Sequence, residues 1–358
     1  MPSSTQPLVF IGGYAAPTAS GIHAFSFDSA PGALTLRGSF TGIVNPSFLV
    51  VHPNGRWLYA VSETSQSTDG VSGGVWAFRF EREPLTIQPI NHQPSGGDWP
   101  CHLQLDSTGQ WLLTTNYGTG NVAAFPIQPD GSLGSMSDLA QHHGTGLNAK
   151  RQEGPHAHSA NLTPDGRYFI VADLGIDALV VYQLDATGKL REHGRTPTRP
   201  GAGPRHMTFH PNGNLLYVAN ELDNTVAVYD YAGADGALRE LQVLDTLPPG
   251  APENTVADIH ISASGGRLYV SNRGHNSLAV YEVGSDGLLT RLAVPECGGN
   301  WPRNFALSPD DRFAVVANQY SGDLCVLPVL DSAPGLGATL ARVAVPQASC
   351  VQFVKALA

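Results

Sequence analysis

No run of apolar residues in this 358-residue sequence approaches the ~20 needed for a membrane-spanning helix. Basic residues are scarce: 20 Lys and Arg stand against 30 Asp and Glu, a formal net charge of −10. That balance argues against a surface built to neutralise nucleic-acid phosphates. The four cysteines, Cys101, Cys297, Cys325 and Cys350, are scattered without metal or redox spacing and suggest no disulfide framework. The opening Met1-Pro2-Ser3-Ser4-Thr5-Gln6-Pro7 lacks a basic region followed by an apolar core. No secretory leader is therefore expected, and the expected location is cytoplasmic. Linkers, low-complexity runs and heptads are also missing, and the longest irregular stretches cover residues 63–74 and 142–156. With no visible boundary, residues 1–358 read as one domain, although domains commonly run to about 150 residues.

What the chain does have is one phrase repeated along its length. The clearest copy is Pro204-Arg205-His206-Met207-Thr208-Phe209-His210-Pro211-Asn212-Gly213-Asn214-Leu215-Leu216-Tyr217-Val218-Ala219-Asn220-Glu221. It reads as a strand, a Pro-Asn-Gly turn and a second strand. Other copies begin at Pro46, Pro100, Ala157, Val256 and Pro302, with their turns at Gly55, Gly109, Gly166, Gly265 and Asp311. Successive turns lie roughly 50 residues apart, close to the period of a β-propeller blade. A short apolar third strand follows each copy, as in Val75-Trp76-Ala77-Phe78, Leu179-Val180-Val181-Tyr182 and Val226-Ala227-Val228-Tyr229. Most lead into a glycine turn and a leucine, which is hairpin chemistry.

The third-strand phrase occurs seven times, so seven blades are expected. The chain opens at Leu8-Val9-Phe10-Ile11-Gly12-Gly13-Tyr14, a second strand without a first. It closes at Pro346-Gln347-Ala348-Ser349-Cys350-Val351-Gln352-Phe353, a first strand without a partner. Pairing the two completes the last blade and leaves no open edge there. The expected fold is all-β: a seven-bladed β-propeller of four-stranded antiparallel blades, closed by the N-terminal and C-terminal strands.

A propeller brings the start of every first strand and the end of every second strand to one mouth. The two positions after the repeat's proline read Ser47/Phe48, Cys101/His102, His158/Ser159, Arg205/His206, Ala257/Asp258, Arg303/Asn304 and Gln347/Ala348. The position closing the second strand reads Tyr14, Glu63, Tyr117, Leu174, Glu221, Arg273 and Gln319. Asn116, Asn220, Asn272 and Asn318 precede it in several blades and suit turn bonding. The charged residues differ from blade to blade, so they serve no repeated structural need. His102, His158, His206, Asp258, Glu221, Arg205, Arg273 and Arg303 are the candidates. Three arginines converging in an acidic chain fit an anionic small molecule held by forked donors.

Glu221 and Arg205 are neighbours by this alignment, either as an ion pair or as a general base with its arginine. His156 and His158 alternate in an extended segment and share a face. With His206 they would imitate a three-histidine metal site, but the nearby arginines oppose a cation. Arg151 lies in the long loop before His156 and reaches the rim, whereas Lys150 reads as solvated. His210 belongs to a turn, and His260 lies deeper in the channel.

Several segments carry a resemblance: Arg151-Gln152-Glu153-Gly154-Pro155-His156-Ala157-His158-Ser159, Gly203-Pro204-Arg205-His206, Asn220-Glu221-Leu222, Asp258-Ile259-His260, Ser271-Asn272-Arg273-Gly274 and Trp301-Pro302-Arg303-Asn304-Phe305. In these the chain resembles, over nearly its whole length, the seven-bladed propeller lactonases. That family includes propeller-type 6-phosphogluconolactonases and the fungal carboxy-muconate lactonizing enzymes. One departure is Asp310-Asp311, where the repeat prefers a glycine second.

The resemblance implies an enzyme without metal or cofactor that opens or forms a lactone. It points to His158, Arg205, Glu221 and Arg273 as catalytic, with His156, His206 and Arg303 in support. The expected reaction is hydrolysis of an anionic sugar lactone, 6-phosphogluconolactone or a relative. Water attacks the carbonyl, Glu221 or His158 takes its proton, and Arg205 or Arg273 stabilises the oxyanion. Arg303 and Arg151 hold a phosphate or carboxylate, and Asp258 and His102 also line the substrate site. Two alternatives stand beside this reading: a cycloisomerase closing a muconate-type acid, and a non-catalytic propeller binding an anion or a protein. A monomer or a dimer is expected, with neither nucleic acid nor membrane as partner.

Overall fold

The second strands are runs dominated by Val, Leu, Ile, Ala, Phe and Tyr with charge confined to their ends, and such runs form strands covered on both faces. Leu8–Gly13 (LVFIGG), Leu215–Asn220 (LLYVAN) and Phe313–Asn318 (FAVVAN) are buried at every residue. Fourth strands alternate instead. Leu190–Pro197 (LREHGRTP) is half-buried or exposed throughout and forms the rim. The computed structural model describes residues 6–354. The segment weighed above as a leader, and both ends of the proposed domain, lie partly outside them.

The strands assemble into seven antiparallel sheets of four, the propeller expected from the repeat. The innermost strands are Leu49–Val51, Pro100–Leu105, Ala157–Leu162, Pro204–Phe209, Thr255–Ile261, Pro302–Leu307 and Ala348–Phe353. They are taken here as blades 1 to 7. Blade 7 pairs the two ends of the chain, with Val9 opposite Phe353 and Gly12 opposite Cys350. Among the described residues, the single helix is the short Gln66–Asp69, and no helix is long and apolar enough to cross a membrane.

The turns between first and second strands take the left-handed conformation that favours glycine. Gly213 has φ 81°, and Asp311, the departure in blade 6, reaches φ 56°. Aspartate tolerates that region better than most side chains, so the turn survives the substitution.

The core lies between blades. Val9, Ile11, Phe25 and Phe27 of blade 7 pack against Phe313, Val315 and Leu324 of blade 6. Tyrosines peg neighbouring sheets: Tyr217 donates its hydroxyl to the Gly287 carbonyl at 2.9 Å. Gly287 has φ 78°, and a Cβ there would stand 1.9 Å from Leu215. The peg therefore requires glycine in the turn it enters.

Most of the innermost strands, though not Leu49–Val51, share one irregularity. The ladder shifts register between Pro100 and His102, Ala157 and Ser159, Pro204 and His206, Val256 and Ile259, and Pro302 and Asn304. Each shift is a β-bulge, which gives the inner strand one residue more than its partner and re-aims a side chain. The residues within the bulges include Cys101, His158, Arg205 and Arg303.

Blade 7 corrects the sequence alignment. Its bulge falls between Gly12 and Gly13, and Ala348 faces Gly13 as Pro302 faces Asn318. The inward position is thus Ser349, two residues beyond the expected Gln347. Pro346 resembles the repeat's proline in sequence but precedes the strand.

Phe27 is fully buried and meets Phe313 edge-to-face at 5.7 Å and Phe353 at 5.4 Å. It thus joins blade 6 to the closing strand. Phe27→Ala is expected to cost about 3–5 kcal/mol, measured as a lower urea midpoint with an unchanged slope. A loss under 1 kcal/mol would show that this contact does not hold the closure.

Candidate functional site

The bulges decide what faces the mouth. Cys101, His158, Arg205, Arg303 and Ser349, one from each of five blades, line a small, partly open cavity at the head of the channel. Ser47, Phe48, Glu63 and His206 complete its wall. Roomier grooves open between blades on the opposite face, against turn residues such as Asn54, Trp57 and Thr108. Their charged side chains, such as Arg79, Glu81 and Glu83, are mostly solvent-facing, whereas the smaller cavity gathers buried ones.

Behind one wall lies a buried carboxylate held by three arginines. Glu221 is 4% exposed. Its Oε1 accepts a hydrogen bond from Arg151 at 2.6 Å. Its Oε2 lies 2.8 Å from an Arg273 nitrogen and 2.9 Å from Arg205 Nε. The Arg205 Nε–H is not aimed at that oxygen, so this last contact is a charge pair without a hydrogen bond. Burial alone would raise the Glu221 pKa, but Arg273, Arg205 and Arg151 outweigh it and hold the carboxyl well below the usual carboxylate range.

The arginines are fixed in turn by carbonyls. Arg205 donates to Ala257 O at 2.6 Å and Arg273 to Val256 O at 2.9 Å. Arg273 also lies 5.5 Å over the Trp301 ring. Burial and the Arg273 charge lower the Arg205 pKa to about 9, which leaves it cationic at neutral pH.

A second carboxylate stands on the far side. Glu63 Oε2 accepts hydrogen bonds from Tyr14 Oη at 2.8 Å and from Ser47 Oγ. Arg303 stacks on the Tyr14 ring at 5.3 Å and approaches Glu63 Oε1 only to 4.0 Å. Among the described residues Arg303 donates no hydrogen bond, so its guanidinium faces the cavity unspent.

The histidines divide by environment. Burial, then Arg205, His206 and Arg303, hold His158 well below its ordinary pKa, so its imidazole is neutral. His206 is lowered to about 4 by burial and Arg205, against the pull of Asp258. His102 is neutral for the same first reason, burial, and its ring lies 4.3 Å from Phe48 below the cavity. Burial, then Glu63, push the Cys101 thiol up to about 12, which removes it as a thiolate nucleophile.

Arg151 comes from the long irregular stretch, and buried bonds explain its placement. His142 Nδ1 meets Asp173 Oδ2 at 2.6 Å where the stretch begins. Asp173 Oδ1 accepts the His156 N–H at 2.7 Å where it ends. Between them the fully buried Gln152 donates to Leu174 O and Asp177 Oδ1, each at 2.8 Å.

The model of the family described as "Lactonase, 7-bladed beta-propeller" matches residues 8–353. The chain belongs to that family. It is 36% identical over 352 residues to a 6-phosphogluconolactonase of Bacillus subtilis, covering 98% of this chain and 99% of the relative. It is 33% identical to a 6-phosphogluconolactonase of Formosa agariphila, covering 86% and 88%. The solved structure of a periplasmic gluconolactonase from Pseudomonas aeruginosa superposes with a TM-score of 0.91 at 32% identity, covering 98% of this chain and 99% of that one.

Within this lactonase fold the sequence-derived candidates take distinct places. His158, Arg205, His206 and Arg303 line the cavity. Glu221, Arg273 and Arg151 form the knot behind it, and His102 and Asp258 lie beneath. His156 departs from expectation. The bulge at His158 breaks the alternation, and His156 stacks on Tyr117 at 4.4 Å with Nδ1 2.8 Å from Tyr117 O. It does not line the cavity with His158 and His206. Among the described residues no group of His, Cys, Asp or Glu is arranged to hold a metal ion. The asparagines bond within their own turns, as Asn220 does to Thr225 at 2.9 Å. Glu63, Tyr14, Cys101 and Ser47 stood in the aligned positions without being singled out. Their signal was the position itself.

Glu221→Gln would leave two buried arginines without a counter-charge. A loss of about 3–5 kcal/mol is expected at neutral pH. Because the folded-state pKa lies below the ordinary 4.5, wild type keeps the full advantage above that value and loses it as pH falls below. Urea midpoints of wild type and variant from pH 7 to pH 3 test this; a gap that widens on acidification contradicts it.

Proposed function

We propose that the protein hydrolyses a phosphorylated sugar lactone of the 6-phosphogluconolactone type. The observation that carries this reading is Arg303, a cationic group in the cavity with its hydrogen bonds unspent, standing apart from the arginines that Glu221 occupies. A phosphate bound there receives charge-assisted, forked donation. The lactone carbonyl then lies toward Arg205, whose remaining donors meet the developing oxyanion. One preorganised donor of this kind contributes about 10²–10³ in rate.

Water is the nucleophile in this reading. Ser349 donates to Ser47 O at 2.9 Å, Ser47 donates to Glu63, and neither has a histidine to activate it. Of the two proton acceptors expected from the sequence, Glu221 is the weaker. Both of its oxygens are engaged by arginines, so neither is free to reach a water in the cavity. Its role is to hold Arg205, Arg273 and Arg151 in place, which leaves an imidazole of the cavity wall to take the proton. A phosphorylated substrate also suits the cytoplasmic location expected from the sequence, and the periplasmic relative is called a gluconolactonase.

A proton-release assay with EDTA present, corrected for spontaneous hydrolysis, tests the reading on 6-phosphogluconolactone and gluconolactone. Turnover is expected on the phosphorylated lactone at the lower KM. Arg303→Gln is expected to raise that KM about tenfold or more, since a charge-assisted hydrogen bond contributes about 1.5–3 kcal/mol. Turnover of neither lactone would remove the proposal. Equal effects of Arg303→Gln on both would remove the phosphate assignment.

A further inference from the structure

Beneath the cavity one buried carboxylate ties three blades together. Asp258, from blade 5, is 3% exposed. Its Oδ1 contacts His206 Nδ1 of blade 4 at 2.7 Å. Its Oδ2 accepts from Asn304 Nδ2 at 2.6 Å and the Phe305 N–H at 3.1 Å, both of blade 6. His260 Nε2 lies 2.9 Å from the same oxygen. The Asn304 amide is oriented by its other end, because Asn304 Oδ1 accepts the Val351 N–H at 2.7 Å. Asp258 is thus supplied with donors on both oxygens. Burial would raise its pKa, but His260 and His206 hold it well below the usual carboxylate range.

An ionised carboxylate on Nδ1 fixes the His206 tautomer. The proton sits on Nδ1 and the lone pair on Nε2. Among the described residues Nε2 has no hydrogen-bond partner, and His206 lines the cavity. His158 shares that space, its ring centroid 5.4 Å from that of His206, but its setting differs. Its Nδ1 faces only the Cys101 sulfur at 3.8 Å. Among the described residues no carboxylate contacts His158 to hold its tautomer or to answer a positive charge on its ring.

We propose that His206, oriented by Asp258, is the general base of the lactone hydrolysis. This deepens the lactonase reading above and rests on it. His206 Nε2 takes a proton from water as the water oxygen bonds to the carbonyl carbon and the carbonyl electrons move onto oxygen. The oxyanion collapses, the ring C–O bond breaks, and the leaving alkoxide takes the proton back from Nε2. The new carboxylic acid then loses the second water proton to solvent. Asp258 is a positioning residue that stabilises the imidazolium without itself taking the proton. The charged and titratable groups facing His206 are Arg205, Asp258, His260, His102 and His158. With burial and Arg205 lowering its pKa to about 4 against Asp258, His206 is a free base at neutral pH and is lost as base only on acidification.

The test compares wild type with His206→Gln, His158→Gln and Asp258→Asn in the proton-release assay, as kcat, KM and the pH profile of kcat/KM. His206→Gln is expected to lose about 10²–10⁴ in kcat with KM changed less than threefold. His158→Gln is expected to keep an acid limb near pH 4. Asp258→Asn is expected to lower kcat and move that limb to lower pH, because the carboxylate no longer favours the imidazolium. A merely structural role would not move the limb. Retention of kcat within tenfold by His206→Gln, or an unmoved limb in Asp258→Asn, overturns the assignment. If His206→Gln does not fold by near-UV circular dichroism, the Asp258→Asn profile decides alone. Wild type inactive on every sugar lactone overturns the lactonase reading and this assignment with it; active wild type with unaffected His206→Gln overturns this assignment only.

Discussion

Seven twisted sheets surround one axis only if the last meets the first. Here that meeting is a backbone ladder between Leu8–Gly13 and Ala348–Phe353, residues at opposite ends of the sequence. Without it, blade 7 would present an unpaired edge, and the apolar faces of blades 6 and 1 would lose their cover. The mouth inherits the same constraint. Its groups come from many blades, so their mutual distances are set by closure and not by any local stretch of chain.

Those distances matter because the mouth concentrates charge away from water. Arginines 205 and 273 share Glu221 at under 3 Å, and burial of such a group is costly unless every charge has a partner. Two carboxylates answer the cations from opposite sides, Glu221 against Arg205, Arg273 and Arg151, and Glu63 against Arg303. A third, Asp258, sits one layer lower among histidines and an asparagine. The result is a wall in which most donors are already used. Of the few left unspent, Arg303 faces the cavity.

The propeller was legible because its period and its two orphan strands are properties of the chain alone. The mouth was legible as far as one position per blade, which named His158, Arg205 and Arg303. Three things lay beyond that. The slip in blade 7 arose because Pro346 imitates the repeat's proline, and only the pairing of Ala348 with Gly13 shows Ser349 to be the inward residue. His156 was misplaced because alternation assumes an unbroken ladder, and the bulge interrupts it. Glu221 and Glu63 occupy equivalent positions in their blades, yet a sequence does not show that one is saturated by arginines while the other receives hydroxyls. Saturation depends on which neighbours reach across blades, and no spacing encodes it.

A bulge position has no cross-strand partner to satisfy. Its side chain answers to the cavity, while the residues on either side carry the ladder. Cys101, His158, Arg205 and Arg303 are a thiol, an imidazole and two guanidiniums on nearly the same backbone. The fold thus separates architecture from chemistry: exchange at one of these positions alters the reagent presented to the channel and leaves the pairing register untouched. A scaffold built this way is open to change of specificity in single steps, one blade at a time.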